Sequence, residues 1–288
     1  MNCLQRRTEL RAWLSGERCI FPASVFDPIS ARIAKDVGYE VAMLAGSVAS
    51  FTVLGAPDKV VLTLTELAEQ ARRIGRASSI PLIVDADHGF GNALNVRRTV
   101  EELETAGVAG LTIEDTDLPQ GFGKPSKGLI SMEEAMGKFQ AALDARQDPS
   151  LCIFARTTAF KTLPHDDALS RIQRYVTHAV DGLFLVGVDS WSQLEDVKRL
   201  TDLPILLGST SEHMKDQRRL SELSVRVALE GHGTFSAAVK ATYESLLKMR
   251  ARVAPPASAG QTVPADIISA VTREADYKVW ANKYMRVV

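Results

Sequence analysis

Short apolar runs alternate with amphipathic stretches almost from end to end of the chain. The runs lie at Ile20–Phe26, Val41–Gly46, Leu82–Asp87, Gly110–Glu114, Leu151–Arg156, Gly182–Val186, Pro204–Gly208 and Val225–Glu230. Most are continuous in apolar residues, the pattern of parallel strands covered on both faces. Helical periodicity separates them, at Leu64–Ile74, Leu94–Ala106, Met132–Ala145 and Leu169–Ala179 among others. In "NALNVRRTVEELETAG", Leu94, Val96, Val100 and Leu103 gather on one face. Glu101, Glu102 and Glu104 fall largely on the other, and Gly107 supplies the stop.

Eight strand–helix units predict an α/β fold, a closed (β/α)8 TIM barrel, for which about 250 residues is ordinary. An open doubly wound sheet is the alternative, but no Gly-x-Gly-x-x-Gly fingerprint opens the first helix. "MNCLQRRTELRAWLSGE" alternates charge with leucine and reads as a short amphipathic N-terminal helix rather than a secretory leader. The last barrel helix is expected over Phe235–Met249, so residues 1–250 form the barrel domain. Residues 251–288 then hold the linker "RVAPPASAGQTVPAD" and a helix over Ile267–Tyr284. That helix packs either on its own barrel or on a neighbouring subunit, since linker composition sets flexibility and not destination.

Composition narrows the class. With 45% hydrophobic and 24% charged residues and a net charge of −1, nothing favours a nucleic-acid or membrane-surface partner. No apolar run approaches the roughly 20 residues that cross a bilayer. Cys3, Cys19 and Cys152 are odd in number and lack metal-ligand spacing, so a soluble protein of the reducing cytoplasm is expected.

In a parallel barrel the site is built at the carboxyl ends of the strands. Here those ends read "LAGSVAS", "VDADHG", "IEDT", "FART" and "LEGHG". Alternation puts Asp85 and Asp87 on one side of their strand, and Glu114 closes the next. Three clustered carboxylates repel unless something positive sits between them, and Mg²⁺, a hard cation that keeps several waters, is a natural answer. Mn²⁺ suits the same oxygen ligands. The plainer alternative is that these acids cap helices and pair with arginines. Arg156 is either a carboxylate-recognition group or a partner for buried acids. Gly46 and Ser47 offer backbone N–H groups and a hydroxyl to a carboxylate, or simply cap a helix. His232, flanked by Gly231 and Gly233, has room for a ligand, and His88 is expected to brace the acidic pair by hydrogen bonding.

Several segments, in this order, resemble the isocitrate lyase/phosphoenolpyruvate mutase superfamily: "SVFDPISARIAKDVGYE", "AGSVAS", "LGAPDKVVLTLTE", "DADHGFGNALNVRRTVEELETAGVAGLTIED" and "ARTTA". The resemblance implies a (β/α)8 barrel whose eighth helix is exchanged between subunits, typically in a dimer of dimers. It implies Mg²⁺ held directly by Asp85, with Asp58, Asp87 and Glu114 as outer carboxylates acting through water. Ser47 and Arg156 match positions that hold the carboxylate and keto oxygen of a 2-oxo acid.

The superfamily contains lyases, phosphonate enzymes and decarboxylases, so the barrel does not choose the reaction. The lyases carry a cysteine in the loop after strand four and the phosphonate enzymes an asparagine. "TDLPQGFGKPSKGLI" has neither. "SVFDP", "DADHG", "GNALNV" and the histidine of "GH" most resemble the oxaloacetate decarboxylase branch. That implies metal-dependent conversion of oxaloacetate to pyruvate and CO2 through a metal-stabilised enolate, with Arg156 and His232 in catalytic contact with the substrate, His232 near its distal carboxylate. Two departures bear on it. Thr158 replaces an acidic or amide residue, and no tyrosine follows strand seven, leaving Ser209 or Thr210 to serve the distal carboxylate. The alternatives are a lyase or hydrolase of the same superfamily acting on a 2-methylisocitrate-like or oxaloacetate-like acid, and a non-catalytic dicarboxylate-binding barrel.

Overall fold

A computed structural model describes residues 2–123, 128–252 and 263–285. Its elements run α1 (Cys3–Ser15), β1 (Ala23–Ser24), α2 (Pro28–Val37), β2 (Ala42–Leu44), α3 (Gly46–Leu54), α4 (Leu64–Ala77), β3 (Leu82–Asp85), α5 (Ala93–Thr105), β4 (Gly110–Glu114), α6 (Met132–Ala145) and β5 (Cys152–Thr157). They continue with α7 (Ala159–Thr162), α8 (His165–Val176), β6 (Gly182–Leu185), α9 (Trp191–Leu200), β7 (Ile205–Leu207), α10 (Gln217–Glu222), β8 (Val225–Ala228), α11 (Gly233–Arg250), α12 (Ala265–Thr272) and α13 (Glu274–Met285).

All eight strands are parallel and paired in chain order. Ile20 closes the ring on β8: its N–H donates to Arg226 O at 2.8 Å and its carbonyl accepts from Ala228 N at 2.9 Å. The barrel expected from the sequence is therefore present. The expected first strand, Ile20–Phe26, is only two regular residues plus this one bridge.

Local chemistry starts the helices where the strand ends need them. Asp27 and Ser30 form a reciprocal capping box with Pro28 in the first turn of α2. Asn92 caps α5 by accepting from Leu94 N at 2.9 Å and Asn95 N at 3.4 Å, so the turn after Asp87 is tied down at its far end.

Two apolar layers hold the barrel. The larger lies between sheet and helices. The smaller fills the barrel's interior, where Leu10 and Leu14 of α1 join Met43, Ile83, Phe154, Phe184, Leu206 and Val227. Burial drives the thiols of Cys19 and Cys152 up to about 12, and all three cysteines are free.

The described residues form two compact units, Met1–Gly233 and Thr234–Val288. In the second, the single C-terminal helix expected over Ile267–Tyr284 is two helices. Arg273 takes a left-handed conformation at φ 62° and breaks it between α12 and α13. No glycine or proline marks that break, so periodicity runs straight through it. Most of the expected linker, residues 253–262, lies outside the described residues. Among the described residues, no helix is long and apolar enough to cross a membrane.

Candidate active site

Strand parity decides which side chains meet. Two places beyond the apolar residues that fill the barrel, the same inward face presents Asp85 after Ile83 and Arg156 after Phe154, with Glu114 paired to Arg156 across β4 and β5. These open into a cavity of about 430 Å³ that Ser47, Asp58, Asp87, Thr158 and His232 also line. Every metal residue named from the sequence, together with Ser47, Arg156 and His232, is thus brought to one cavity at the strands' carboxyl ends.

Asp85 is the best-determined side chain in it. Its Oδ1 accepts from the Thr112 hydroxyl at 3.0 Å, from Asp87 N at 3.2 Å and from Arg156 Nη1. Its Oδ2 has no partner among the described residues. The other arm of Arg156, Nη2, lies 3.4 Å from Glu114 Oε2, and the guanidinium stands over the Phe184 ring, 5.5 Å from its centroid. Arg156 is fixed on three sides before any substrate arrives.

Burial, reinforced by the Asp85, Glu114 and Asp58 charges and opposed by Arg156, raises the Asp87 carboxyl well above its usual range. Burial raises Glu114 too, against the pull of Arg156. For Arg156 burial works against the charge, but Asp85, Glu114 and Asp87 outweigh it and hold the guanidinium protonated. With all four lining carboxylates ionised, the cavity would hold more negative charge than Arg156 and Lys161 neutralise, and that repulsion is part of what raises Asp87 and Glu114.

That imbalance, with one carboxylate oxygen of Asp85 unpartnered at the cavity, fits a hard divalent cation. Among the described residues, no three His, Cys, Asp or Glu side chains are disposed to hold an ion by themselves. The arrangement suits an ion with one direct protein ligand and the rest of its shell supplied by water and substrate.

His232 bonds through Nδ1 to Ser24 Oγ of β1 at 2.9 Å, and burial lowers its pKa against the field of Asp85. Ser47 lies in the first turn of α3, whose N-cap, Ala45, makes no side-chain capping bond. The N–H groups there remain available for an anion.

Three expectations change. Gly46 does not line the cavity; a Cβ on it would lie 2.5 Å from Asp87 Oδ1, so its role is clearance for that carboxylate. His88 does not brace the acids through its ring. It is buried, pushed down to about 4 by burial and Lys138, and its Nδ1 is unpartnered; its carbonyl instead accepts from Lys138 Nζ at 3.1 Å. Neither Ser209 nor Thr210 lines the cavity, where only Gly208 represents that turn. Residues 124–127 of the loop after β4 lie outside the described residues, while Thr116 and Leu118 of the same loop reach the cavity.

Sequence reasoning missed a second group on the opposite strand parity. Asp115 and Thr157 point out of the barrel towards α8, where Asp115 Oδ2 accepts from Arg171 Nε at 2.7 Å, Tyr175 OH at 2.6 Å and Thr157 Oγ1 at 2.8 Å. The only sequence signal is the Arg171/Tyr175 spacing of four, which equally describes a solvated helix face.

Substitution of Gly46 is expected to act through Asp87. Gly46→Ala should lower kcat/KM by about 10–100-fold, the scale of a misplacement near 1 Å, with little change in thermal midpoint. Wild-type kcat/KM in that variant would show that Asp87 relocates without consequence.

The chain matches the phosphoenolpyruvate phosphomutase family over residues 10–250. It is 52% identical over 285 residues to an oxaloacetate decarboxylase of Bradyrhizobium sp. (strain BTAi1 / ATCC BAA-1182), covering 99% of each chain. It is 54% identical over 268 residues to an oxaloacetate decarboxylase of Rhodopseudomonas palustris (strain BisA53), covering 93% of this chain and 92% of that one. Among solved structures it is similar to phosphonopyruvate hydrolase in complex with oxalate and Mg²⁺, with a TM-score of 0.85, 25% identity and coverage of 99% and 100%. Oxaloacetate acetylhydrolase with the inhibitor 3,3-difluorooxalacetate gives a TM-score of 0.84, 25% identity and coverage of 97% of each chain. By barrel and sequence alike, the chain belongs to the phosphoenolpyruvate phosphomutase family, and its oxaloacetate decarboxylase relatives are 52% and 54% identical to it over nearly the whole chain.

Proposed function

We propose that the protein decarboxylates oxaloacetate to pyruvate and CO2 with a divalent metal, Mg²⁺ or Mn²⁺. One observation carries the reading. A guanidinium clamped between Asp85 and Glu114 faces a cavity in which one carboxylate oxygen of Asp85 is left for an external ligand. Curated relatives at 52% and 54% identity over nearly the whole chain support it.

Decarboxylation breaks the C3–C4 bond, sends its electron pair into a C2–C3 double bond and places negative charge on the C2 oxygen. A proton added at C3 then gives pyruvate. A divalent ion, when bound, supplies Lewis acidity at that oxygen. Asp85 would hold it directly, and Asp58, Asp87 and Glu114 would orient its waters.

Arg156 donates to the oxygen that gains charge, and the donors around Ser47 receive the C1 carboxylate. Each donor so preorganised contributes about 3 kcal/mol in the transition state. His232, held by Ser24, contacts the substrate from the β8 side. No nucleophile is required, and no cysteine lines the cavity among the described residues.

The test is a panel of 2-oxo and 2-hydroxy di- and tricarboxylates assayed with and without metal. Pyruvate from oxaloacetate, lost in EDTA and restored by Mg²⁺, is the expected result. Faster cleavage of a 2-methylisocitrate-like acid would make the protein a lyase of another branch, and tight metal–oxalate binding without turnover a binding protein.

The same reading makes the protein a homo-oligomer, a dimer of dimers in which the segment 251–288 packs on a neighbouring subunit. Val239, Tyr243, Leu246 and Leu247 form an apolar stripe on α11, all exposed in a single chain. Light scattering should give the mass of four chains; a monomer at micromolar concentration overturns it. Three free thiols and a soluble-enzyme composition favour a cytoplasmic setting.

A further inference from the structure

The decarboxylase reading puts His232 near the substrate's distal carboxylate but gives that carboxylate no cation. Arg156, paired with Asp85 and Glu114, is assigned to the C2 oxygen, and His232 is tied to Ser24. The turn after β7, where a partner for the distal carboxylate was expected, contributes only Gly208 to the cavity.

The lining holds one more cation. Lys161 lies on α7, the single turn that leaves β5 just beyond Arg156, and its side chain lines the cavity. The turn is fixed by Lys161 N donating to Thr158 O at 2.9 Å and Leu163 N to Ala159 O at 2.8 Å. The stem is fixed from the other side by Gly187 after β6. A Cβ there would lie 2.8 Å from Lys161 Cβ, and the residue's φ of +84° already favours glycine. Lys161 is exposed at the mouth and has no acidic partner among the described residues. Among the described residues, it is the one cation of the cavity not already paired with the protein's own carboxylates.

We propose that Lys161 receives the substrate's distal carboxylate at the cavity mouth and sets the preference for four-carbon dicarboxylates. The inference rests on the decarboxylase reading and adds the determinant of its substrate class. It also fixes the kind of effect. The distal carboxylate loses its charge as it becomes CO2, so a cation beside it stabilises the bound substrate more than the transition state. Lys161 is therefore a recruiting and specificity group, and its loss should appear in KM.

The test compares wild type with Lys161→Gln, Lys161→Glu and Lys161→Arg. At low ionic strength Lys161→Gln should raise KM for oxaloacetate by about three- to tenfold, the range of an exposed ion pair up to a partly desolvated one, with kcat changed less than twofold. Lys161→Glu should raise it further and Lys161→Arg should largely restore it. Added salt should narrow the gap between wild type and Lys161→Gln, because exposed charges are screened. The inhibition constant of oxalate, which lacks the distal carboxylate, should stay within twofold, while that of 3,3-difluorooxalacetate rises with KM.

An unchanged KM in Lys161→Gln, or equal shifts for oxalate and the four-carbon analogue, overturns the inference and leaves the decarboxylase reading standing. If wild type does not turn over oxaloacetate, the decarboxylase reading fails by itself. The calorimetric dissociation constants of the two inhibitors then decide Lys161 by the same comparison.

Discussion

Asp85→Ala is expected to abolish metal-dependent decarboxylation, with kcat/KM falling by at least about 10³-fold. The size follows from how the side chain is used. Three protein donors converge on Oδ1, the Thr112 hydroxyl, the Asp87 N–H and Arg156. They hold Oδ1 and leave Oδ2 without a partner among the described residues, in a side chain that lines the cavity. Removing the carboxylate removes the oxygen assigned to the cation and also one of the two acids that hold Arg156 in place. The fold should survive, because the variant also relieves repulsion among four clustered carboxylates and Glu114 remains 3.4 Å from Arg156. Thermal midpoint should therefore move by only a few degrees while calorimetric Mg²⁺ binding disappears. Asp85→Asn separates the two contributions: it keeps the hydrogen-bonding shape but not the charge, and it should also lose the metal. Retained turnover together with retained Mg²⁺ affinity in either variant would remove Asp85 from the proposed chemistry.

The acidic ring was legible because barrel geometry turns a one-dimensional cue into a three-dimensional one. A carboxylate or guanidinium ending a continuous apolar strand has nowhere to go but the mouth, and Asp85, Glu114 and Arg156 all obey that rule. Asp58 and His232 sit on less regular segments: resemblance singled out Asp58, and the glycines flanking His232 at the end of the eighth strand marked it. What stayed hidden depends on contacts between elements. Gly46 is adjacent to a substrate-binding motif in sequence, yet its importance is the space that it leaves for Asp87, a property of two chains of atoms meeting and not of either alone. Lys161 follows Arg156 by five residues and looks like any surface lysine until α7 turns it back over the cavity. The break at Arg273 has no glycine or proline to announce it, so the helical pattern reads through.

The Arg171 cluster is the largest feature that the sequence did not disclose, and its removal should be the most costly substitution for stability. Asp115 is fully buried with Arg171, Tyr175 and Thr157 around one of its oxygens. Burial, followed by the Asp115 charge, raises the Tyr175 phenol above its usual range, so it stays protonated and donates. Arg171→Met deletes the only cation paired with that carboxylate among the described residues and leaves a buried charge uncompensated, which costs about 3–5 kcal/mol. For a chain of this size that is on the order of 10 °C in thermal midpoint. The loss should reach the site as well. Asp115 N donates to Arg156 O at 3.2 Å and Asp115 O accepts from Ile130 N at 2.9 Å, so the residue next to Glu114 ties β4 both to the Arg156 strand and to the far end of the following loop. The decisive comparison is the double variant Asp115→Leu/Arg171→Met. If the penalty is an unpaired buried charge, removing both members should recover most of the stability lost by Arg171→Met alone, while kcat/KM stays depressed because the anchoring carboxylate is gone. Equal destabilisation in the single and double variants would instead assign the cost to packing of α8 against the barrel.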